Sequence, residues 1–171
     1  MEIVIRKGRP EELDLFVELL LQVRSGMEEQ DWFYVDSPGE FRELMDSGTM
    51  HFWFAMDGDR VAGALDILTP GTEPYNYGYE LGYGEEELLC TVNMDAAAVH
   101  PDYRGLGLQR KLLQTAEEWL CDGRTRILLC TVHPENRFSL NNALAMGYEI
   151  RRKISIYGSV RYLLKKEIRK M

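Results

Sequence analysis

The sequence has few cysteines and no metal-binding pattern. Its three cysteines, Cys90, Cys121 and Cys130, are an odd number without the spacing of metal ligands. This excludes a disulfide framework and a zinc cluster as the basis of the fold. We expect free, buried thiols and no metal site.

Features that would bind a membrane or a nucleic acid are also lacking. No segment approaches the ~20 consecutive apolar residues of a membrane span, and residues 1–6 lack the basic and apolar segments of a secretory signal. A net charge of -8 provides no general field that would attract phosphate backbones. We therefore expect a cytoplasmic protein that binds neither membranes nor nucleic acids, and a cationic small molecule suits its charge better.

The sequence does contain enough apolar material for a sizeable core. The chain has 171 residues, of which 45% are hydrophobic and 28% are charged, as is typical of globular proteins. This length indicates a single domain over residues 1–171.

Hydrophobic periodicity and turn residues predict an α/β fold. Apolar runs predict strands at residues 3–5, 51–56, 60–68, 88–99, 126–132, 148–157 and 160–168. Helical spacing predicts helices that begin near Pro10 and Pro38, and two more at residues 104–121 and 137–146. A strand, a helix and a strand over residues 88–132 predict a right-handed parallel crossover, and residues 70–84 are expected to form a long ordered loop.

The strongest chemical signal is a glycine-rich turn at the start of the third helix, Arg104-Gly105-Leu106-Gly107-Leu108-Gln109-Arg110. Its glycines let the backbone approach a ligand, and a helix N-terminus presents amides and a positive dipole end to an anion. A dinucleotide fingerprint needs a third glycine where Arg110 stands, and a P-loop needs a Gly-Lys-Ser/Thr sequence that the chain lacks. The turn therefore indicates another kind of anion site.

This turn resembles the Arg/Gln-x-x-Gly-x-Gly/Ala signature of the GNAT superfamily of acyl-CoA-dependent N-acyltransferases, with Gln109 at the final position. The order of predicted elements is similar to the family's order over essentially the whole chain. The resemblance implies a mixed, mostly antiparallel sheet with helices on both faces and a splayed parallel strand pair. It also implies transfer of an acyl group, most simply acetyl from acetyl-CoA, to a primary amine of a small molecule or peptide by direct attack in a ternary complex.

The resemblance further implies which residues contact coenzyme A. The amides from Leu106 to Arg110 would hold the pyrophosphate, and the backbone around Ala97 to Val99 would pair with the pantetheine arm. The full implied set is Ala97, Ala98, Val99, Arg104, Gly105, Leu106, Gly107, Leu108, Gln109, Arg110, Asn136 and Ser139. Asn136 and Ser139 match the family's Asn-x-x-Ser/Ala helix, but both residue types also favour helix entrances without any ligand.

A polar stripe on the long predicted strand supplies the candidate general base. Because side chains alternate along a strand, Asn93 and Asp95 share a face with Ala97 and Val99. A strand within a parallel arrangement is normally apolar on both faces. Polar side chains along one face of this strand therefore indicate a specific structural or functional role. Asp95, grouped with Asn93, is the candidate to accept the ammonium proton, and a hydrogen-bonded structural aspartate is the alternative.

The usual general acid of the family is missing. Ala143 stands where many members carry a tyrosine that reprotonates the departing thiolate. Tyr148 and the tyrosines of residues 75–83 are then the nearest candidates by sequence. The missing tyrosine also keeps open a second function, a non-catalytic acyl-CoA-binding module that senses or scaffolds.

Aromatic residues mark the candidate acceptor end of the site. Residues 32–34 and the tyrosines of residues 75–83 carry polar tips on apolar rings, which suits a wall that selects a substrate. A homodimer contact is the competing interpretation of the same residues.

Overall fold

A computed structural model describes residues 1–168, which form one seven-stranded mixed sheet with helices around it. The strands are β1 (Ile3–Lys7), β2 (Met50–Asp57), β3 (Arg60–Leu68), β4 (Thr91–Val99), β5 (Ile127–Val132), β6 (Glu149–Ile156) and β7 (Ser159–Glu167). The helices are α1 (Leu13–Ser25), α2 (Pro38–Asp46), α3 (Glu85–Leu89), α4 (Leu108–Trp119) and α5 (Arg137–Ala145). Short 3-10 turns occupy Pro10–Glu12, Gln30–Trp32, Tyr77–Leu81 and Pro101–Tyr103.

The strand order in the sheet is β1-β2-β3-β4-β5-β7-β6. β4 and β5 are parallel, whereas β1 with β2, β2 with β3, β5 with β7 and β6 with β7 are antiparallel. The parallel ladder pairs Thr91 with Ile127, Val92 with Leu128 and Asn93 with Leu129. The mixed, mostly antiparallel sheet is thereby confirmed, and a splay of β4 and β5 beyond these pairs stays a prediction.

The chain divides into two compact units, and β4 contributes residues to both. The first contains residues 1–68 and 95–118, and the second contains residues 69–94 and the described chain from residue 119 onward. The expectation of a single domain stays a prediction.

The core of the first unit forms where α1 and α2 cover β2 and β3. Phe16 of α1 lies 5.6 Å from Phe41 of α2 and 5.1 Å from Phe52 of β2, measured between ring centroids. α2 begins with a capping box in which Ser37 Oγ accepts from the Glu40 amide and the Glu40 carboxylate accepts from the Ser37 amide. This arrangement satisfies two amides that the helix itself leaves unbonded.

The core of the second unit packs the tyrosine-rich segment against β5, β6 and β7. Its buried members are Tyr77, Ile127, Leu129, Ile154 and Leu163. The Tyr77 hydroxyl lies 2.7 Å from the Tyr157 hydroxyl, so this buried aromatic residue has a partner for its polar tip. The segment is ordered, as the sequence indicates.

Three local expectations are wrong. Residues 88–90 do not begin β4, because Glu85–Leu89 form α3, whose acidic first turn suits a helix N-terminus. α4 begins at Leu108 rather than at residue 104, since the turn before it contains Gly105 and Gly107 with positive φ. All three cysteines are free but only half-buried.

Gly8 provides a test of the first core. A Cβ at Gly8 would lie 2.1 Å from Phe52 Cε2, and the Phe52 ring is buried. Gly8→Ala should therefore lower the free energy of unfolding by about 1–3 kcal/mol through overpacking. Gly39→Ala is the matched control, because its nearest neighbour would be Ser37 Oγ at 4.0 Å. Urea denaturation of both variants measures the difference, and equal effects would contradict the overpacking.

Glu12 provides a test by pH. Hydrogen bonds from Arg6 first, and then from Arg9, outweigh burial and lower the pKa of Glu12 from 4.5 to about 2. Because the folded pKa lies below the unfolded one, the stabilisation is present above about pH 4.5 and is lost as the pH falls to about 2. Glu12→Gln should be less stable than wild type near neutral pH.

The same denaturation series separates this ion pair from general charge effects. The gap in free energy of unfolding between wild type and Glu12→Gln should narrow as the pH falls through this window. Glu11→Gln is the control, because the Glu11 side chain is 69% exposed and such surface pairs contribute little. A gap that is constant with pH would disprove the role assigned to the Glu12 carboxylate.

Candidate functional site

Three carboxyl groups of the first unit interact with one another, and we call Asp36, Asp66 and Asp95 the acidic cluster. Asp66 is fully buried on β3, and its Oδ1 accepts a hydrogen bond of 2.9 Å from the Ala96 amide of β4. The Asp66 carboxyl also contacts that of Asp95 by a side-chain hydrogen bond, and it feels the charge of Asp36. Two strands and the segment before α2 therefore supply one charged group each.

Burial and mutual repulsion keep protons in the acidic cluster. Burial, followed by the charge and hydrogen bond of Asp95, raises the pKa of Asp66 well above its ordinary value. Burial, followed by the charges of Asp95 and Glu40, raises the pKa of Asp36 to about 7. Neighbouring carboxylates that cannot both ionise share a proton. We therefore treat Asp66 and Asp95 as a proton-sharing pair.

Tyr34 lies beside the acidic cluster. Burial raises the pKa of its phenol, as do the charges of Asp36, Glu40 and Asp95, while Arg24 opposes them. The phenol consequently stays protonated at neutral pH, and 39% of the residue is exposed. Tyr34, which belongs to the predicted aromatic wall at 32–34, therefore lies within reach of the cluster's charges.

Asn93 holds the tyrosine-rich segment of the second unit. Its Oδ1 accepts from the Tyr77 amide at 3.2 Å, and its Nδ2 donates to the Tyr75 carbonyl at 2.9 Å. The side chain is buried. Both ends of the amide are engaged with the backbone, so the geometry supports a positioning role for Asn93 and no proton transfer.

The backbone of β4 alternates in direction along the residues expected to meet the pantetheine arm. The His100 amide that follows the strand donates to the Ala62 carbonyl of β3 at 2.8 Å. Because successive residues point to opposite edges of a strand, Ala98 also turns its backbone groups to β3. Those of Ala97 and Val99 point to the opposite edge. Of the predicted three, Ala97 and Val99 thus fit the pairing best.

The glycine turn opens α4 in the expected way. Gly105 and Gly107 have φ of +83° and +72°, a region that other residues enter at a cost. The helical bonding starts with the Lys111 amide donating to the Gly107 carbonyl at 3.1 Å. The amides of Leu108 and Gln109 therefore precede the first intrahelical bond. Arg104 and Leu106 lie in the turn, and Arg110 is the third residue of α4.

The β2–β3 hairpin fixes the position of the turn that leads to the glycines. The Tyr103 hydroxyl donates to Asp57 Oδ2 at 2.6 Å, and Arg60 donates to Asp102 Oδ2 at 2.6 Å. The Arg60 guanidinium also lies 5.2 Å from the centre of the Tyr103 ring. These contacts hold Pro101–Tyr103 to the hairpin, which sets where α4 begins.

Both histidines that precede prolines act as turn residues. His100 Nδ1 accepts from the Asp102 amide, and His133 Nδ1 accepts from the Glu135 amide, each at 3.1 Å. One ring nitrogen of each histidine is therefore engaged in holding a turn.

The second unit contains the remaining predicted residues. Asn136 caps α5, where its Oδ1 accepts from the Ser139 amide at 3.4 Å. The capping interpretation is thus confirmed for Asn136, and contacts of Asn136 and Ser139 with a coenzyme stay a prediction. Tyr148 is 2% exposed, with Lys166 Nζ 5.7 Å from its ring centre. Its role as an acid also stays a prediction.

Sequence reasoning missed two members of the acidic cluster, Asp36 and Asp66. A signal for Asp66 was present, because it is the one charged residue in the apolar run of β3 after Arg60. Burying a carboxyl group in a strand that is apolar on both faces costs free energy unless the group is hydrogen-bonded or paired. Asp36 carried no comparable signal, since residues 28–40 contain many acids.

Two further expectations concern metals and membranes. Within residues 1–168, no group of three or more His, Cys, Asp or Glu side chains is arranged to hold a metal ion. Over the same residues, no helix has the length and apolarity needed to cross a membrane. The cytoplasmic location and the homodimer stay predictions.

Known structures share this fold. A GNAT-family acetyltransferase of Streptococcus pneumoniae has a TM-score of 0.70 at 19% identity, covering 98% of this chain and all of its own. YncA of Salmonella typhimurium, solved with its cofactor acetyl-CoA, has a TM-score of 0.72 at 13% identity. That match covers 100% of this chain and 96% of the YncA chain. Arabidopsis thaliana NAA60, solved with a bisubstrate analogue, has a TM-score of 0.74 at 17% identity. That match covers 99% of this chain and 100% of the NAA60 chain.

Sequence comparison gives the family itself. No curated protein matches the chain. The acetyltransferase (GNAT) family, by contrast, matches residues 20–148, which include β4, the glycine turn and α4. The match covers well over half of the sequence and agrees with the resemblance carried by the glycine turn. The chain belongs to the GNAT family of acetyltransferases.

Proposed function

We propose that the protein transfers an acetyl group from acetyl-CoA to a primary amine by direct attack in a ternary complex. The observation that carries the proposal is the position of Asp95. It is half-buried on β4, it interacts with the buried Asp66, and it precedes the Ala97 and Val99 backbone groups by two and four residues. Family membership supplies the reaction class.

The first unit offers a cradle that fits the coenzyme. A Cβ at Gly105 or Gly107 would meet no atom within 4 Å, so the backbone of the turn is open to a ligand. The amides of residues 106–110 would hold the pyrophosphate, because a helix N-terminus favours negative charge. Ala97 and Val99 would pair with the pantetheine arm. Acetyl-CoA supplies the reactive acetyl thioester when bound.

Asp95 receives, directly or through water, the proton that the substrate ammonium loses so that the neutral amine can attack the thioester carbonyl. A general base works best when its pKa lies near the working pH, and the interaction with Asp66 favours proton retention in the pair. The Val99 amide would polarise the thioester carbonyl, as preorganised amides do for a developing oxyanion. Asn93 positions the tyrosine-rich segment. Binding both reactants in a productive orientation lowers the entropic part of the activation barrier.

The departing thiolate requires little help. A thiol has a pKa near ~8.5, so the thiolate leaves without obligatory protonation. Tyr148, a tyrosine of residues 75–83, or water can supply the proton afterward. This is consistent with Ala143 at a buried position of α5.

A non-catalytic acyl-CoA-binding module is the second candidate, and Ala143 is the observation that favours it. Ala143→Tyr distinguishes the two. Turnover by the wild type on any amine supports the enzyme. Binding of acetyl-CoA without turnover, together with turnover gained by Ala143→Tyr, supports the binding module.

The cradle is tested by Gly107→Val. Gly107 and Gly48 share nearly the same backbone, with φ of +72° and +75° and no atom within 4 Å of a Cβ. Valine at either position should cost about 1–2 kcal/mol of stability through left-handed strain. Only Gly107→Val should abolish the rise in melting temperature that acetyl-CoA gives by mass action. If Gly107→Val retains the full rise, the pyrophosphate site lies elsewhere.

The general base is tested by Asp95→Asn. Turnover should fall by ~10²–10⁴-fold, as is typical when a general base is lost, while acetyl-CoA still raises the melting temperature. In the wild type, turnover should fall as the pH drops, because the carboxyl pair then holds a second proton, and this acidic limb should vanish in the variant. Asp59→Asn, in the hairpin turn, is the control. Full turnover per folded molecule in Asp95→Asn would indicate a structural aspartate instead.

A further inference from the structure

Asp66 is an acidic residue in a wholly buried position of β3. Its exposed fraction is 0%, and its neighbours along the strand, Leu65 and Ile67, are buried as well. Burying an ionised carboxyl group away from a counter-charge costs far more free energy than burying a protonated one. The charged groups that act on Asp66 are Asp95 and Asp36, and both are negative. These surroundings favour the protonated form of Asp66.

A backbone amide of β4 fixes the Asp66 side chain. The His100 amide donates to the Ala62 carbonyl of β3, and the Ala96 amide points to the same edge of β4, because successive residues alternate in direction. At that edge the Ala96 amide donates to Asp66 Oδ1 at 2.9 Å. One oxygen of Asp66 is therefore held by the residue that follows Asp95.

The other oxygen of Asp66 shows where a proton is needed. Within residues 1–168, the buried Oδ2 atom receives no hydrogen bond from an amide, hydroxyl or cationic group. The Asp66 carboxyl group does contact that of Asp95 by a side-chain hydrogen bond. Two carboxyl groups can form such a bond only when one of them is protonated, because an ionised carboxylate only accepts. A single proton therefore accounts for both observations.

The difference in burial decides which carboxyl group holds this proton. Asp66 is fully buried, whereas Asp95 is half-buried. Burial disfavours the charged form of a carboxyl group, so the negative charge belongs on Asp95. The protonated group can then donate to a charged acceptor, and such hydrogen bonds are stronger than those between neutral groups. Asp95 stays ionised and able to accept a further proton.

Two other titratable groups act on this pair of carboxyl groups. Asp36 acts on both members, and Tyr34 acts on Asp95. Glu40 in turn acts on Asp36 and on Tyr34, and Arg24 acts on Tyr34. Because Asp36 adds negative charge when it ionises, it strengthens the retention of one proton by the pair.

We propose that Asp66 is a positioning residue for the general base. Its Oδ2 carries a proton and donates a hydrogen bond to the Asp95 carboxylate, while its Oδ1 is held by the Ala96 amide. This bond orients the Asp95 carboxylate and keeps one negative charge in the pair instead of two. The inference rests on the proposed function, since Asp66 acts on the reaction through Asp95.

The first test is the pH dependence of kcat/KM, measured with one amine throughout, for Asp66→Asn. The new amide can accept from Ala96 and donate to Asp95, as the protonated carboxyl group does. We expect kcat/KM within ~3-fold of wild type, less than the loss of a hydrogen bond to a charged group would cause, and an acidic limb at the same pH. An ionised Asp66 predicts instead that the limb moves to lower pH by ~1 unit or more, since repulsion is relieved. That shift would overturn the proposal.

The second variant, Asp66→Leu, removes the donor at similar volume. Asp95 would then lie beside an apolar side chain, which disfavours its charged form. The acidic limb should move to higher pH by ~1–2 units, the equivalent of one hydrogen bond to a charged group.

Leu68→Ala, at the end of the same strand, is the control for lost stability. Leu68 is buried, so its truncation lowers the melting temperature through a cavity. The acidic limb of Leu68→Ala should remain at the wild-type pH. A limb that stays in place in Asp66→Leu, or that moves equally in both variants, would overturn the positioning role.

Infrared spectroscopy detects the proton without any substrate. A protonated carboxyl group gives a C=O stretching band that a carboxylate lacks. Burial and neighbouring charges raise the pKa of Asp36 to about 7, so at pH ~9 Asp36 is almost fully ionised. A band should remain in the wild type at that pH, persist in Asp36→Asn and vanish in Asp66→Asn. Absence of the band from the wild type, or its persistence in Asp66→Asn, would overturn the proposal.

The infrared result also separates this inference from the proposed function. If the band behaves as expected but no amine is acetylated, acetyl transfer fails and the assignment of the proton to Asp66 stands. If amines are acetylated but the wild type lacks the band, transfer stands and the assignment to Asp66 fails.

Discussion

The hydrogen bond from the Ala96 amide to the Asp66 carboxyl is the contact on which the candidate site depends. It places a fully buried carboxyl group on the inner strand β3, against the residue that follows Asp95 on β4. A carboxyl group in such a buried position must be hydrogen-bonded, and it is neutralised by a proton unless a charge partner is present. Burial and the charge of Asp95 raise the pKa of Asp66, so this pair of carboxyl groups has the raised affinity for a proton that the proposed general base needs.

A second set of contacts holds the turn that precedes the glycines. The β2–β3 hairpin holds Tyr103 through Asp57, and Asp102 through Arg60. The strand β3 therefore contacts this part of the chain at two points, through Asp66 at Ala96 of β4 and through Arg60 at Asp102 after β4. Asp95, the proposed general base, and the glycine turn are thus held on one scaffold, and such rigid placement would lower the entropic cost of the proposed direct attack.

Much of this could be predicted from local patterns. The start of α2 near Pro38, the strands β2 and β3 and the glycine turn each depend on residues close together in the chain, and each is confirmed. The parallel pair joins more distant residues and was predicted from the order of strand, helix and strand, and it is confirmed as well. The beginning of β4 was not predictable by alternation, because Leu88 continues the apolar pattern while the acidic first turn of α3 favours a helix. The positive φ values of Gly105 and Gly107 similarly delay α4 to Leu108.

The sequence by itself determined the family and the position of the glycine turn, because both are carried by a contiguous motif. Only the tertiary structure decided the composition of the acidic cluster. Asp36, Asp66 and Asp95 are 29 or more residues apart along the chain, and nothing local to any of them reveals the other two. Burial and mutual repulsion act through space, so the proton that these carboxyl groups retain exists only once the strands are paired.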